Sequence, residues 1–129
     1  MKEKFMKKIV EQYFKAYNEF NLNGMIENIH NDLIFKTIVN GEITYELNGK
    51  YAFKEQIKQA FAIFKKREMK IVNQKFGDDM VENEINFKGV LAVDISDKLK
   101  KYDLVKLQSK SVFQFKNGKI ISIEDINQS

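Results

Sequence analysis

The feature that most constrains the fold of this chain is an amphipathic helical pattern between Phe5 and Phe20. Large apolar side chains recur at i, i+4 spacing in two adjacent rows, and charged or amide side chains fill the opposite side. The rows comprise Phe5, Ile9, Tyr13 and Tyr17, and beside them Met6, Val10 and Phe14. A helix with so wide an apolar stripe cannot bury it alone, so we expect it to lie on a sheet formed by the second half of the chain.

The length and composition indicate one globular domain spanning residues 1–129. Of the 129 residues, 43% are hydrophobic and 31% charged, which is ordinary for such a domain. A chain of this size buries roughly two-thirds of its unfolded surface, so its core needs no covalent staples. The absence of Cys excludes disulfides, zinc–thiolate sites and cysteine nucleophiles.

The charge pattern argues against nucleic-acid and membrane partners. The 22 basic residues are interspersed with 18 acidic ones, and the basic clusters at 65–67 and 98–101 are short. No continuous apolar run of the kind found in a signal peptide or a membrane span is present. We therefore expect a cytoplasmic protein that is not exported.

In the first half of the chain, the pattern predicts two helices, a hairpin and a third helix. The second helix is marked by apolar residues between 25 and 30. Strands at 32–39 and 42–47 are joined by Asn40-Gly41, a dipeptide typical of tight hairpins because both positions need positive φ. The third helix covers the apolar positions from Phe53 to Phe64.

In the second half, apolar and polar residues alternate with the period of strands. The meander includes runs around Val81–Phe87, Val105–Phe115 and Ile121–Asp125, with Asn117-Gly118 as the last hairpin. The four residues before Asp94 are all apolar, so the alternation of the strand does not indicate whether Asp94 faces the core or the solvent. Helices on one side of such strands predict an α+β fold, with a curved antiparallel sheet forming a half-open cone and three helices packed on its concave side.

Three segments carry a resemblance to a known superfamily. They read EQYFKAYNEFNLNGMIENIHNDLIF near the start, NGKYAFKEQIKQAF in the middle and GKIISIEDI near the end. From Lys7 to Ile126 the chain resembles the nuclear transport factor two-like superfamily, and more narrowly its SnoaL-like and ketosteroid-isomerase-like branch. The resemblance implies a ligand pocket inside the cone and a homodimer formed through the convex sheet face.

The resemblance transfers the isomerase site only in part. Tyr13 matches the family's first-helix phenol, which donates a hydrogen bond to the substrate oxygen. Thr37 stands where the family has its general base, and Ser111 where it has a protonated carboxyl. Because Thr37 cannot abstract a proton near neutral pH, steroid-type isomerisation by that mechanism is not expected. The similarity to SnoaL-like cyclases, which use an Asp acid/base, leaves Asp125 as a candidate by a loose positional match.

Other reactive residues have simpler interpretations. The single histidine, His30, is placed to interact with the carbonyl end of the second helix. It has no His or Cys partner, so we expect no metal and no cofactor. Ser109 and Ser111 lack a triad pattern, and no glycine-rich phosphate loop is present. Glu42, after a turn, is expected to be solvated.

These observations favour a protein with a small-molecule pocket. If it is an enzyme, the expected reaction is proton transfer on a hydrophobic carbonyl compound. Asp125 would be the acid/base and Tyr13 the oxyanion donor. The expected pocket comprises Tyr13, Tyr17, Phe35, Thr37, Ile57, Phe64, Ser111, Phe113 and Asp125. The alternative is a non-catalytic dimeric interaction module whose cavity its own side chains fill. In that case the phenols would be core aromatics bonded to backbone carbonyls or water, and Asp125 a solvated carboxylate at a strand end.

Overall fold

A computed structural model describes residues 1–127, so the last two residues of the predicted domain, 128 and 129, lie outside the described part. It contains three helices and six strands over those residues. They are α1 (Glu3–Asn18), α2 (Leu22–Ile26), β1 (Ile29–Val39), β2 (Glu42–Asn48), α3 (Lys50–Ala60), β3 (Phe64–Gly77), β4 (Met80–Leu91), β5 (Leu104–Lys116) and β6 (Lys119–Asn127).

The strands form one curved, unclosed sheet in the order β2-β1-β6-β5-β4-β3, with the helices on its inner side. The α+β fold and the half-open cone predicted from the sequence are thus confirmed. Four of the strand pairings are antiparallel as predicted, but β1 and β6 run parallel. No hairpin links those two strands, so nothing in the local sequence forces them to be antiparallel. Register shifts within β1, β3 and β5 bend the sheet further.

Tight turns lie where the sequence predicted them. Asn40 and Gly41 have φ values of 52° and 82°, and Asn117 and Gly118 have 53° and 77°. Both pairs therefore adopt the left-handed conformation that a two-residue hairpin loop requires. These turns set the pairing of β1 with β2 and of β5 with β6.

Two predicted helix boundaries are wrong. Helix α2 starts at Leu22 because the Asn21 side chain accepts a hydrogen bond from the Gly24 N–H at 3.0 Å, and it ends at Ile26. His30 consequently lies on β1, where its Nδ1 accepts the Asp32 N–H at 3.0 Å, and not at a helix end. Phe64 begins β3 instead of ending α3.

The interior forms where α1 packs on the sheet. Met6, Val10 and Phe14 are buried as predicted, whereas Phe5 is 58% exposed because it lies at the outer margin of the stripe. Phe113 on β5 is fully buried, and its ring centre lies 5.3 Å from that of Tyr13 and 5.6 Å from that of Phe14. This aromatic cluster fixes α1 across the middle of the sheet.

Two smaller observations complete the fold. Asp94, whose facing the sequence left open, lies beyond the end of β4 in an exposed loop, where its carboxylate accepts the Lys101 N–H at 2.8 Å. Among the helices of residues 1–127, none has the length and apolar character needed to cross a membrane.

Candidate active site

A cavity of about 260 Å³ lies between the three helices and the inner face of the sheet. Most of its wall is apolar, and seven polar or phenolic side chains interrupt that wall. The apolar part consists of Met25, Phe35, Phe53, Ile57, Ala60, Ile63, Phe64 and Met69. The polar part consists of Tyr13, Tyr17, Thr37, Tyr45, Gln56, Arg67 and Asp125.

Seven of the nine pocket residues expected from the sequence line this cavity. They are Tyr13, Tyr17, Phe35, Thr37, Ile57, Phe64 and Asp125. The other two, Ser111 and Phe113, do not line it. Ser111 donates a hydrogen bond from its hydroxyl to Asp125, and the Phe113 ring packs against Tyr13 and Phe14. That the seven bind a ligand stays a prediction.

A row of polar side chains crosses the whole sheet beside the cavity. One residue from each strand takes part, and each is the register partner of the next. From β2 to β3 the row runs Tyr45, Thr37, Asp125, Ser111, Asn83 and Gln74. Asn83 is fully buried, accepts a hydrogen bond from Gln74 at 2.8 Å and donates one to the Ser111 carbonyl at 3.1 Å. This network holds β5 in place behind Asp125.

Asp125 is the carboxyl group of the cavity. Burial raises the pKa of Asp125 to about 6, and the hydrogen bond that Ser111 Oγ donates to its Oδ1 at 2.7 Å opposes this rise. Thr37 adjoins it on β1 as its register partner. A carboxyl group with such a pKa can both accept and return a proton near neutral pH.

Tyr13 and Tyr17 supply phenols to the same cavity. Burial raises the pKa of Tyr13 well above its ordinary value, and the negative charge of Asp125 adds to the rise. Burial also raises the pKa of Tyr17, against the opposing charge of Arg67. Both phenols therefore stay protonated and can donate a hydrogen bond. Tyr13 touches Phe14 and Phe113 edge-on through its ring, an arrangement that holds the ring in place.

Arg67 is a cavity residue that the sequence reasoning missed. Its side chain is 7% exposed, and its Nε donates a hydrogen bond to the Tyr17 carbonyl at 2.9 Å, near the end of α1. The guanidinium carbon lies 3.5 Å from the ring centre of Tyr17, with Phe20 and Phe61 at 4.5 and 5.1 Å. Within residues 1–127, its buried Nη2 has no hydrogen-bond partner.

The sequence did contain a signal for this placement. Along β3, Arg67, Met69 and Ile71 occupy every second position, and charged residues lie between them. Because Met69 and Ile71 are half-buried, Arg67 also falls on the inner face of β3. Of the short basic cluster at 65–67, Lys65 and Lys66 are exposed and only Arg67 is buried. Between Phe64 and Lys66 the pairing of β3 with β4 shifts register, which interrupts the regular alternation of inward and outward side chains at this point.

A pair of hydrogen bonds fixes the helix beside Arg67. Asn18 accepts the Met69 N–H at 2.7 Å and donates to the Met69 carbonyl at 3.1 Å. Because β3 is an edge strand, these bonds satisfy backbone groups that would otherwise be unpaired. The end of α1 that carries Tyr17 is thereby held against Arg67.

Over the same residues, 1–127, no group of three or more His, Cys, Asp or Glu side chains is placed to hold a metal ion. The polar groups of the cavity are instead three phenols, one carboxyl, one guanidinium, one hydroxyl and one amide. Such a set can bind an oxygen-bearing organic molecule and move a proton.

Solved structures with the same architecture cover nearly the whole chain. A candidate polyketide cyclase from Xanthomonas campestris pv. campestris matches with a TM-score of 0.81 and 16% identity, over 95% of this chain and 90% of that one. An LEH-like epoxide hydrolase from M. tuberculosis matches with a TM-score of 0.73 and 15% identity, over 93% and 80%. A nuclear transport factor two-like protein of unknown function from Exiguobacterium sp. 255-15 gives 0.71 and 16%, over 92% and 97%.

With identities of only 15–16%, these structural matches show a common fold. No protein with a curated description matches the sequence significantly. The family model of the SnoaL-like domain, in contrast, matches residues 10–123. The matched segment contains α1 from Val10, the whole of α2 and α3, and the sheet as far as Ile123. The chain therefore belongs to the SnoaL-like domain family.

Proposed function

We propose that this protein binds a small hydrophobic carbonyl compound in the cavity and catalyses proton transfer on it. The observation that carries the proposal is the presence of Asp125 and the Tyr13 phenol on the wall of one mostly apolar cavity. An apolar pocket with a few convergent polar groups and a carboxyl of shifted pKa is the usual form of a site for such chemistry.

The reaction follows from the chemistry of the two groups. The ionised Asp125 removes a proton from the carbon beside the ligand carbonyl, and the electron pair of that C–H bond moves toward the oxygen. Tyr13 donates a hydrogen bond to that oxygen and stabilises the enolate. Asp125 then returns the proton to the same carbon, or to the γ carbon where the ligand has a β,γ double bond. Its pKa of about 6 makes it a stronger base than an ordinary carboxylate while it is still ionised near pH 7.

The cavity volume limits the size of the ligand. A cavity of about 150 Å³ accommodates one benzene ring, and drug-sized ligands occupy about 300–1,000 Å³. At about 260 Å³, the space suits a compound with one ring and a short substituent. It also weighs against the interaction module with a filled cavity.

The names of structural relatives are consistent with this class of chemistry. One is a candidate polyketide cyclase and another an epoxide hydrolase, so the fold holds pockets that act on organic molecules in other proteins. The departure at Thr37 distinguishes this chain from the isomerase pattern. Here the carboxyl group comes from Asp125, the neighbour of Thr37 on the adjacent strand.

The test uses 4-phenyl-2-butanone, a one-ring ketone, in D₂O. Wild-type protein is expected to accelerate exchange of the protons next to the carbonyl, measured by NMR. Asp125→Asn is expected to lower the exchange rate by about 100-fold or more because the base is lost, and Tyr13→Phe by about 100-fold because one oxyanion donor is lost.

The control is Tyr51→Phe, which removes a phenol that is 76% exposed and outside the cavity. It should exchange at the wild-type rate. Ligand binding is followed in parallel as a shift in melting temperature. Binding without accelerated exchange would leave only a binding pocket, and neither binding nor exchange with one-ring ketones would refute the proposal.

We also propose a cytoplasmic homodimer that associates through the outer face of the sheet. Most residues of β4 and β5 on that face are polar and pair across the strands, for example Glu84 with Lys110 and Asn86 with Gln108. An interface built on them would be polar and hydrated. Light scattering at micromolar concentration is expected to give twice the 15.2 kDa mass of the chain; a monomeric mass would contradict the dimer.

A further inference from the structure

We infer that the ligand of this cavity carries an anionic oxygen group, such as a carboxylate, which binds Arg67. The inference rests on the proposed function, because it concerns the ligand of the same cavity. It differs from that proposal in naming an acid as the preferred ligand, recognised by a residue that takes no part in the proton transfer.

The first support is the unbalanced charge of Arg67. An arginine is always charged, and such a group is seldom buried without an anionic partner. The ion pairs in the described part of the chain join other residues, namely Met1 with Asp79, Lys7 with Glu11, Lys58 with Glu55 and Lys88 with Glu68. Aromatic rings and one carbonyl contact the guanidinium, and none of them carries a full negative charge.

The second support is the hydrogen-bonding capacity that the guanidinium retains. Its Nε is used by the Tyr17 carbonyl, but Nη2 is buried without a partner among the described residues. Leaving a buried donor unpaired is costly, and the cost is higher for a charged group. Since Arg67 lines the cavity, an oxygen of a bound ligand can supply the missing acceptor. A planar guanidinium matches a carboxylate with two parallel hydrogen bonds.

The third support is the distribution of charge along the cavity. Tyr13 and Tyr17 both lie within the electrostatic influence of Asp125 and of Arg67. Asp125 and Arg67 form no ion pair with each other within the described residues. The Asp125 carboxylate instead accepts a hydrogen bond from Ser111. Both phenols thus share the cavity with an acidic and a basic group. A ligand with an anionic end at Arg67 can place its carbonyl against Tyr13 and its acidic carbon toward Asp125.

The fourth support is the rigidity of the arrangement. Asn18 bonds both backbone groups of Met69, two residues after Arg67, and the rings of Phe20 and Phe61 enclose the guanidinium. A cation held in place binds an anion without first losing side-chain freedom. A flexible surface lysine does not have this advantage.

The experiment compares three probes of equal size: 3-phenylpropanoate, 3-phenylpropanamide and 4-phenyl-2-butanone. Binding is measured by calorimetry at pH 8, where the acid is ionised. Wild type is expected to bind the acid about 10- to 100-fold more tightly than the amide, the range typical of a hydrogen bond to a charged group. Arg67→Gln is expected to lose this preference, and Arg67→Lys to keep part of it because it keeps the charge without the planar fork.

The control is Lys66→Gln, which removes an exposed positive charge next to Arg67 in the chain. Lys66→Gln lowers the net charge of the protein by as much as Arg67→Gln does, but Lys66 does not line the cavity. The preference for the acid should therefore survive this change. If Arg67→Gln does not fold, Arg67→Lys provides the comparison, with an expected several-fold loss of preference.

The outcomes separate this inference from the proposed function. Binding of the amide and ketone without preference for the acid would overturn the inference and leave the proposed function intact. An acid preference that persists in Arg67→Gln would place the anion elsewhere and overturn the inference as well. If none of the three probes binds, the proposed function fails, and the inference fails with it.

Discussion

At pH 8 the Asp125→Asn variant is expected to be more stable than wild type by up to about 3 kcal/mol, whereas at pH 3 the two should unfold with nearly equal free energy. The reason is the pKa of Asp125, which burial raises from 3.8 to about 6 in the folded protein. The difference between these values, converted at about 1.4 kcal/mol per unit, gives the stated magnitude.

The sign follows from the protons bound in each state. Below pH 4 the carboxyl is protonated in both states and contributes nothing. Between pH 4 and 6 the unfolded chain ionises first, so the folded state binds more protons and stability falls as the pH rises. Above pH 6 both states are ionised and the full penalty persists. Asparagine keeps an oxygen that can accept the Ser111 hydrogen bond but carries no charge.

Urea unfolding at pH 3, 5, 6 and 8 measures this difference directly. Asp97→Asn, which removes an exposed carboxylate outside the cavity, is the control and should not show the divergence from wild type. Parallel stability profiles for Asp125→Asn and wild type over the whole range would show that burial does not disfavour the ionised carboxyl, and would weaken its role as a base.

Phe113→Ala is expected to lower the free energy of unfolding by about 3–5 kcal/mol. The Phe113 side chain is fully buried, and edge-on ring contacts join it to Tyr13 and Phe14. Its removal leaves a void beneath the middle of α1, and the sheet behind it is pinned by the Asn83 hydrogen bonds and cannot easily collapse into the space. A loss of this size is a large part of the stability of a domain.

The control is Phe5→Ala, since Phe5 is 58% exposed and should change the free energy of unfolding by less than about 1 kcal/mol. Phe113→Leu, which retains most of the apolar volume, is expected to lose only about 1–2 kcal/mol. A loss below about 1 kcal/mol in Phe113→Ala would mean that α1 does not pack on β5 as described. The loss of stability is measured as a decrease in the melting temperature and in the urea midpoint.

Local periodicity was enough to predict the helices, the strands and the hairpins of this fold. The α1 stripe and the two Asn-Gly turns depend on neighbours within a few residues, so the sequence alone indicates them. The errors lie at element ends. The cap that starts α2 at Leu22 and the change from helix to strand before Phe64 both depend on a few competing local interactions.

The candidate site was harder to predict, because its residues come from distant parts of the chain. The sequence analysis expected Phe35, Thr37 and Asp125 in one pocket, but could not tell that β6 inserts between β1 and β5. That insertion makes Thr37 and Ser111 the two neighbours of Asp125. It also explains why Ser111, expected on the cavity wall, instead donates a hydrogen bond to the carboxyl from the adjacent strand.

The sequence by itself determined the class of fold through its apolar periodicity, and the superfamily through three local segments. Only the tertiary structure decided the chemistry of the cavity. The pKa of Asp125 and the unpaired Nη2 of Arg67 arise from burial by elements remote in sequence. Desolvation depends on everything that surrounds a charge, and a sequence does not specify those surroundings until the chain has folded.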